Sequence, residues 1–358
     1  MSLDDRINDA CHRIEELYYE TDGHCYVSFS GGKDSTVLLA LIKMCEDLYT
    51  IPEGAIPAVF SNTGIELGVT VEFVKWVKEN YYPNVITIRP EVSFDWVLKN
   101  KGKPVLSKLK SEYIGRWQRG IRSDSVYRNL VIPRGDSVHL HARIHLADKY
   151  CHMLDDHFPI RISEQCCKYL KKGIMKRMRS QYGMNGQMTG IRNSEGGARA
   201  MNAETRNKHG TDKICTAYMV DGIKKSPLID WTEDDVEQFI SKYNVPLSDA
   251  YTMYGFYRTG CMACPYARDL HHDLEYLHNH EPNRYTASMH WLKDVYIAQD
   301  VRLPFDEDYE RERERMWFEV YEPMRQEMLR KYRPNSRLIK DCEQTDIFDF
   351  LEATNEVN

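Results

Sequence analysis

The chain has 358 residues, a formal net charge of −6 and 42% hydrophobic residues. This length and apolar content suit roughly two domains with a sizeable core, and the acidic balance excludes a generally basic nucleic-acid-binding protein, although local basic patches stay open. Residues 1–20 lack the apolar stretch of a signal peptide, and no apolar run approaches the roughly 18 residues of a membrane span. We therefore expect a cytoplasmic protein that does not contact a membrane.

The predicted elements alternate between strands and helices over the first hundred residues. Hydrophobic periodicity predicts helices over 3–20, 35–48 and 66–81, and strands over 25–29, 55–61 and 84–90. A further strand is predicted over 187–192, and a strand-like segment at 226–231 leads into a helix that begins at Thr232, where Thr232 and Asp235 form a capping-box pattern. The rhythm predicts an α/β fold, a doubly wound parallel sheet with helices on its faces.

Two regions depart from this rhythm. Residues 100–165 show no strand–helix alternation, which predicts an insertion of helices and loops. Residues 267–358 are charged and helix-like, and their charge run is typical of a solvated helix face. The predicted organisation is an α/β domain over 1–266, which contains the insertion, and a helical C-terminal region over 267–358.

The loop between the first strand and the following helix reads Ser-Gly-Gly-Lys-Asp-Ser-Thr over residues 30–36. Glycines let backbone N–H groups turn toward one point, and the N-terminus of the helix adds partial positive charge. Lys33 can neutralise an anion held there. The spacing matches neither the Walker loop nor G-x-G-x-x-G, so the two interpretations left open are a distinct phosphate loop and a tight turn without a ligand.

The stretch "SFSGGKDST" resembles the PP-loop of the ATP-pyrophosphatase superfamily. Four further stretches, "VFSNTGIEL", "TGIRNSEGGARA", "SPLIDWTEDDV" and "GCMACP", are similar to those of the phosphoadenosine-phosphosulfate reductase family and follow in that family's order over about 30–265. The resemblance implies an adenine nucleotide alpha-hydrolase-like fold, in which the nucleotide lies at the carboxyl ends of the parallel strands.

The resemblance also implies roles for individual residues. The residues that would bind the nucleotide are Ser28, Ser30, Gly31, Gly32, Lys33, Asp34, Ser35 and Thr36 at the phosphates, Asn62, Thr63 and Gly64 near the adenosine, and Thr189, Gly190 and Arg192 at its anionic groups. Lys33, Asp34 and Arg192 would be catalytic. Asn62 stands where the family usually has Asp, which weakens a carboxylate role there. The alternative role of Arg192 is a structural salt bridge with Glu195 or Asp230.

Four of the ten cysteines form a pattern. A tandem pair, Cys166 and Cys167, and a later C-x-x-C, Cys261 and Cys264, resemble the set by which the iron–sulfur branch of this family binds a [4Fe–4S] cluster, since four thiolates suit such a cluster. Zinc and ordinary buried cysteines are the open alternatives. The basic stretch over 168–179 would offset the charge of a cluster, face an anionic substrate, or form a solvated helix face.

Two reaction classes follow from the resemblance. In the first, ATP and Mg²⁺ bind at the loop, pyrophosphate leaves, and a nucleic-acid or small-molecule acceptor receives sulfur from a donor such as a cysteine desulfurase or a thioredoxin-like protein. In the second, a sulfonucleotide (PAPS or APS) reductase releases sulfite, but its usual Glu-Cys-Gly-Leu-His motif is absent and Cys342 is the one late cysteine. The intact loop favours ATP. A nucleotide-binding accessory protein without catalysis is the third alternative, and the sequence does not indicate an oligomeric state.

Overall fold

The computed structural model describes residues 2–48, 50–132, 145–195, 215–219 and 222–339. The chain forms two compact units, Met1–Trp96 with Cys167–Cys264, and Val97–Cys166 with Pro265–Asn358. The region predicted as an insertion thus belongs to the same unit as the C-terminal helices. Within the described ranges, no helix is both long enough and apolar enough to cross a membrane.

The first unit is built on one six-stranded sheet. Its strands are β1 (Cys25–Ser28), β2 (Ala58–Ser61), β3 (Val85–Ile88), β4 (Gly186–Met188), β5 (Thr216–Met219) and β6 (Gly222–Lys225). They lie in the order β3-β2-β1-β4-β6-β5, and every neighbouring pair is parallel except β5 and β6. The predicted parallel α/β sheet is confirmed, with an antiparallel strand at one edge that the sequence analysis did not predict.

The described helices follow the predicted pattern closely in the first hundred residues. In chain order they are α1 (Leu3–Glu20), α2 (Lys33–Asp47), α3 (Gly68–Asn80), α4 (Phe94–Lys101), α5 (Lys108–Gln118), α6 (Asp124–Leu130), a 3₁₀ helix (Asp148–Leu154), a π-helical turn (Lys168–Lys172), α7 (Gly173–Tyr182), a 3₁₀ turn (Asn193–Glu195), α8 (Glu233–Tyr243), α9 (Asp249–Thr252), α10 (Leu270–His280), α11 (Pro282–Ala298), α12 (Glu307–Met316), a second π-helical turn (Trp317–Tyr321) and α13 (Glu322–Tyr332). The capping box predicted at Thr232 and Asp235 is present at the start of α8.

Helices cover both faces of the sheet. Because side chains alternate along a strand, Val27 of β1 packs into a large apolar core with α1, α2 and α8, whereas Tyr26 points to the other face and packs with Val59 and Met178 of α7. Both residues are fully buried. This arrangement confirms the doubly wound architecture, which requires apolar residues on both sides of the central strand.

The order of the strands places a topological switch point beside β1. The chain leaves β1 toward β2 on one side, whereas β4 lies on the other side. In open α/β sheets the loops that diverge at such a point leave a crevice at the carboxyl ends of the strands, where ligands bind. The loop over 30–36 follows β1 and residues 189–192 follow β4, so both predicted phosphate-binding segments lie at this crevice.

The strand predicted at 226–231 is wrong. β6 ends at Lys225, and the following residues form turns in which Ile229 N–H donates to the Ser226 carbonyl and Trp231 N–H donates to the Leu228 carbonyl. Pro227 lacks an N–H group for strand pairing. The apolar run that suggests a strand instead buries Leu228 and Trp231 in the core beside α8.

The core of the second unit contains a fully buried histidine. His152 lies on the 3₁₀ helix, and its Nε2 is 2.9 Å from the Ala298 carbonyl oxygen. The rings of Phe158, Trp317 and Tyr321 pack around it. Burial lowers the pKa of His152 to about 4, so the ring is neutral in the folded protein at pH 7.

We expect His152 to make the protein sensitive to mild acid. Its folded pKa is depressed, so its contribution to stability is complete above the ordinary pKa of 6.5 and is lost as the pH falls toward 4. Between pH 7.5 and pH 5 this loss amounts to about 2 kcal/mol. Thermal unfolding of the wild type and of His152→Phe across this range should show a flatter pH dependence for the variant, and equal slopes would contradict this assignment.

Candidate functional site

The glycine loop requires glycine at its tightest point. Gly31 has φ of +71°, in the left-handed region, and a Cβ there would lie 2.9 Å from Cγ2 of Val74. Gly32 is the N-cap residue of α2, and a Cβ there would lie 3.2 Å from the hydroxyl of Tyr251. The turn between β1 and α2 therefore excludes larger residues for two separate reasons, backbone conformation and close contact.

Hydroxyl groups brace the loop from inside. The Ser30 and Ser35 hydroxyl oxygens lie 3.0 Å apart, and Ser30 N–H donates to Ser35 Oγ over 3.2 Å. Ser35 and Thr36 hydroxyls both donate to the Gly32 carbonyl, at 2.8 Å and 3.0 Å. These side chains, predicted to contact phosphates, hold the loop in shape in the structure. Ser28 is the last residue of β1, where its hydroxyl accepts from Gln187 Nε2.

The first N–H groups of α2 present a donor surface at the crevice. Thr36 N–H is satisfied by the Gly32 carbonyl, but the N–H groups of Asp34 and Ser35 have no hydrogen-bond acceptor within the described part of the chain. Together with the partial positive charge of the N-terminus of α2, these donors favour an anion.

Tyr251 caps the N–H group of Lys33, the first residue of α2. Its hydroxyl oxygen accepts from Lys33 N–H at 3.1 Å and from Thr259 N–H at 3.2 Å, and lies 3.1 Å from Thr259 Oγ1. Tyr251 lies on α9, far from the loop in sequence. The sequence analysis missed it because no local pattern links a tyrosine to a loop some 200 positions earlier.

Tyr251→Phe is expected to lower the free energy of unfolding by about 1–2 kcal/mol, since it leaves two backbone N–H donors without their acceptor. Thermal unfolding measures this change. Tyr182→Phe is the matched control, because Tyr182 is 49% exposed and its hydroxyl makes no hydrogen bond to described residues. A Tyr251 variant as stable as the control would show that the hydroxyl does not brace the loop.

Four charged side chains meet beside the loop. Lys33 Nζ forms an ion pair with the Glu233 carboxylate, whose other oxygen is 2.6 Å from Arg192 Nη2. Arg192 Nε lies 2.9 Å from Asp34 Oδ1. Burial alone would raise the pKa of Glu233, but the hydrogen bonds from Lys33 and Arg192 hold it below its ordinary value, so Glu233 is a carboxylate at neutral pH.

The predicted salt bridge between Arg192 and Asp230 is wrong, although Arg192 does form ion pairs. Asp230 pairs with Arg13 instead, at 2.8 Å, and the side chain of Glu195 lies outside the described residues. Arg192 forms ion pairs with Asp34 and Glu233. Glu233 was missed because it is one of three adjacent acidic residues at the start of α8, and the sequence does not indicate which of them faces the loop.

Gly190 brings the loop after β4 against the start of α2. A Cβ at this position would lie 2.8 Å from the Asp34 carbonyl oxygen and 3.1 Å from Ser35 N. The close approach places Arg192 beside Asp34. Thr189 is fixed by its own bonds, from its N–H to the Lys225 carbonyl and between its hydroxyl and that of Ser226.

The segment after β2 forms a compact turn. Asn62 Oδ1 accepts from Gly64 N–H at 3.1 Å. An aspartate oxygen could accept the same hydrogen bond, so Asn62 preserves the local turn although the family usually has Asp at this position. Thr63 is held by Glu66, which accepts from its N–H at 2.9 Å and from its hydroxyl at 2.7 Å. Gly64 has φ of +83°.

Two of the four pattern cysteines, Cys167 and Cys261, lie near Lys171. Cys167 immediately precedes the π-helical turn that carries Lys171, and Cys261 pairs with Glu66 in an isolated β-bridge. Lys171 Nζ lies 4.0 Å from a Glu66 carboxylate oxygen, and its nearness to Cys261 and Glu66 raises its pKa above the ordinary value. Burial raises the pKa of the Cys261 thiol. Cys264 is half-buried in the same unit, and the boundary between the units falls between Cys166 and Cys167.

The arrangement of these cysteines is not that of an assembled metal site. Four thiols are chemically suitable donors for an iron–sulfur cluster or zinc. Within the described residues, however, no three Cys, His, Asp or Glu side chains come together as metal ligands.

The sequence model of a protein family, the phosphoadenosine phosphosulfate reductase domain, matches residues 24–124 and 139–267 of the chain. The chain belongs to the phosphoadenosine phosphosulfate reductase family. The matched residues include the loop after β1, the segments after β2 and β4, and all four pattern cysteines, so the sequence resemblance is confirmed. No curated protein sequence matches the chain.

Two solved structures are similar to parts of the chain. A phosphoadenylyl-sulfate (PAPS) reductase from Candida auris, in a phosphate complex, is 15% identical with a TM-score of 0.39, and the match covers 69% of this chain and 87% of that one. The U34-tRNA thiolase NcsA from Methanococcus maripaludis, with its [4Fe-4S] cluster, is 13% identical with a TM-score of 0.36, covering 88% of this chain and 80% of that one.

Proposed function

We propose that this family member is an ATP-using enzyme that transfers the adenylyl group to an acceptor and releases pyrophosphate. One observation carries the proposal. Lys33, Arg192 and the N–H groups of Asp34 and Ser35, which have no acceptor among the described residues, converge at the crevice beside β1, where open α/β sheets bind ligands. Two cations and a helix N-terminus at one point suit a polyphosphate.

In the proposed reaction an acceptor nucleophile bonds to the α-phosphorus of ATP. The bond from the α-phosphorus to its bridging oxygen breaks, and pyrophosphate leaves with the electron pair. Lys33 neutralises charge on the departing group, and the N–H groups of Asp34 and Ser35 bind its oxygens. Asp34 and Ser194, at 2.9 Å and 3.2 Å, hold the buried Arg192 guanidinium beside Glu233.

The remaining participants belong to the same proposal. Mg²⁺ would arrive with ATP and reduce the negative charge of its phosphates. Sulfur from a protein donor, such as a cysteine desulfurase or a thioredoxin-like protein, would then bond to the adenylylated nucleic acid or small molecule, and AMP would leave with the electron pair of the broken bond. Support for this second half comes from the family resemblance alone.

The family match itself favours a second candidate, a sulfonucleotide reductase that releases sulfite from PAPS or APS. Cys342, the late cysteine that such a reaction would use, lies outside the described residues. Purified protein is incubated with ATP or with a sulfonucleotide, and pyrophosphate and sulfite are assayed side by side. Pyrophosphate from ATP supports the first function, whereas sulfite production that is lost in Cys342→Ala would replace it with the second.

The four pattern cysteines stay a predicted cluster site, which metal analysis tests independently of activity. If they bind a [4Fe–4S] cluster, anaerobically purified protein is expected to contain iron and to absorb broadly at about 400 nm, and Cys261→Ser should remove both signals. Cys25→Ser is a control outside the pattern, since Cys25 is buried in the core of the sheet. Colourless protein with stoichiometric zinc would contradict the cluster.

A further inference from the structure

The candidate phosphate site already contains a negative group that occupies its cations. Lys33 and Arg192 both bind the carboxylate of Glu233, and Asp34 also pairs with Arg192. The formal charges of these four side chains cancel. A polyphosphate therefore meets a site whose positive charge is neutralised by protein carboxylates, and binding requires that at least one cation exchange its partner.

Glu233 is better placed than Asp34 to be the carboxylate that moves. Its side chain is 33% exposed, whereas that of Asp34 is 21% exposed and lies on the turn against which Gly190 packs. Glu233 is the first residue of α8, but the start of that helix is fixed by the reciprocal hydrogen bonds of Thr232 and Asp235. Its side chain can therefore rotate toward solvent without unwinding the helix.

We propose that the Glu233 carboxylate occupies the place of a phosphate group in the free protein. The phosphates of the nucleotide displace it, and it re-forms its ion pairs with Lys33 and Arg192 when pyrophosphate leaves. This inference rests on the proposed function, because it assigns the phosphates that displace Glu233 to the same loop. In the free protein Glu233 keeps Lys33 and Arg192 paired in a partly buried place, where unpaired charge is costly. In the bound state it competes with the phosphates and so weakens their binding.

The test measures the affinity of inorganic pyrophosphate by titration calorimetry for the wild type, Glu233→Gln and Glu237→Gln. Glu237 is the matched control, since it lies on α8, is exposed, and undergoes the same loss of charge. We expect Glu233→Gln to bind pyrophosphate about tenfold more tightly, as removal of one adjacent negative charge permits. Glu237→Gln should bind like the wild type.

Two outcomes separate failure of this inference from failure of the proposed function. Wild-type protein that binds pyrophosphate, with equal or weaker binding by Glu233→Gln, would overturn the displacement while leaving the phosphate site in place. Absence of binding by the wild type and both variants would overturn the proposed function and the inference with it. Glu233→Ala provides a second variant if Glu233→Gln fails to fold, as judged by circular dichroism, and the same tightening is expected.

Discussion

Replacing Lys33 with alanine is expected to reduce the rate of pyrophosphate release from ATP by about 100-fold to 1,000-fold, the range seen when one group that stabilises developing charge is removed. Lys33 is the first residue of α2, and its ammonium lies beside Glu233 and Arg192 at the crevice. Without it the local formal charge becomes negative, because Glu233 and Asp34 together outweigh Arg192. A polyphosphate would then be repelled. Steady-state assays of pyrophosphate release measure the effect.

Lys43→Ala is the control for that experiment. Lys43 lies on α2 as well, but nearly three helical turns after Lys33. It should leave the rate close to that of the wild type. Addition of Glu233→Gln to Lys33→Ala should recover part of the lost pyrophosphate affinity, because it restores the charge balance. Equal rates for Lys33→Ala and Lys43→Ala would place the phosphates elsewhere.

Replacing Gly190 with alanine is expected to lower kcat/KM for pyrophosphate release by about 100-fold and the free energy of unfolding by about 2 kcal/mol. The added Cβ would lie 2.8 Å from the Asp34 carbonyl oxygen, which belongs to backbone and cannot rotate away. Relief of this contact must shift either the start of α2 or the segment that carries Arg192. Both shifts disturb the donors that converge at the crevice.

Gly260→Ala is the matched control, because a Cβ at that position has no heavy atom within 4 Å. It makes the same chemical change in another loop of the first unit. If Gly190→Ala and Gly260→Ala have the same activity and stability, the approach of the β4 loop to α2 is not needed for function. Assays of kcat/KM and thermal unfolding of the two variants decide this.

The sequence predicts the frame of this site well because the frame is local. A strand, two glycines and an apolar helix must form a turn with N–H groups at its end, and the order of βα units fixes a parallel sheet. The loop over 30–36 and residues 189–192 therefore lie together as expected. The helix start at Thr232 follows from hydrogen bonds between residues three positions apart.

The sequence does not predict the partners that cross the fold. Glu233 and Tyr251 contact Lys33 only because α8 and α9 pack near the start of α2, and one tyrosine or one acidic residue among several carries no periodic signal. At 226–231 the sequence predicts a strand that the structure does not contain. The apolar residues of this segment resemble a strand, but they are buried by tertiary packing rather than by pairing in the sheet.

The effect of ATP on thermal unfolding tests most directly the claim that the loop after β1 binds a polyphosphate. ATP at about 100 times its dissociation constant should add roughly 2.7 kcal/mol to the stability of the wild type. The account predicts a clear rise in melting temperature for the wild type and for Lys43→Ala, a small rise with adenosine, and little or no rise with ATP for Lys33→Ala. An ATP-induced rise of the same size in Lys33→Ala, or none in the wild type, would contradict it.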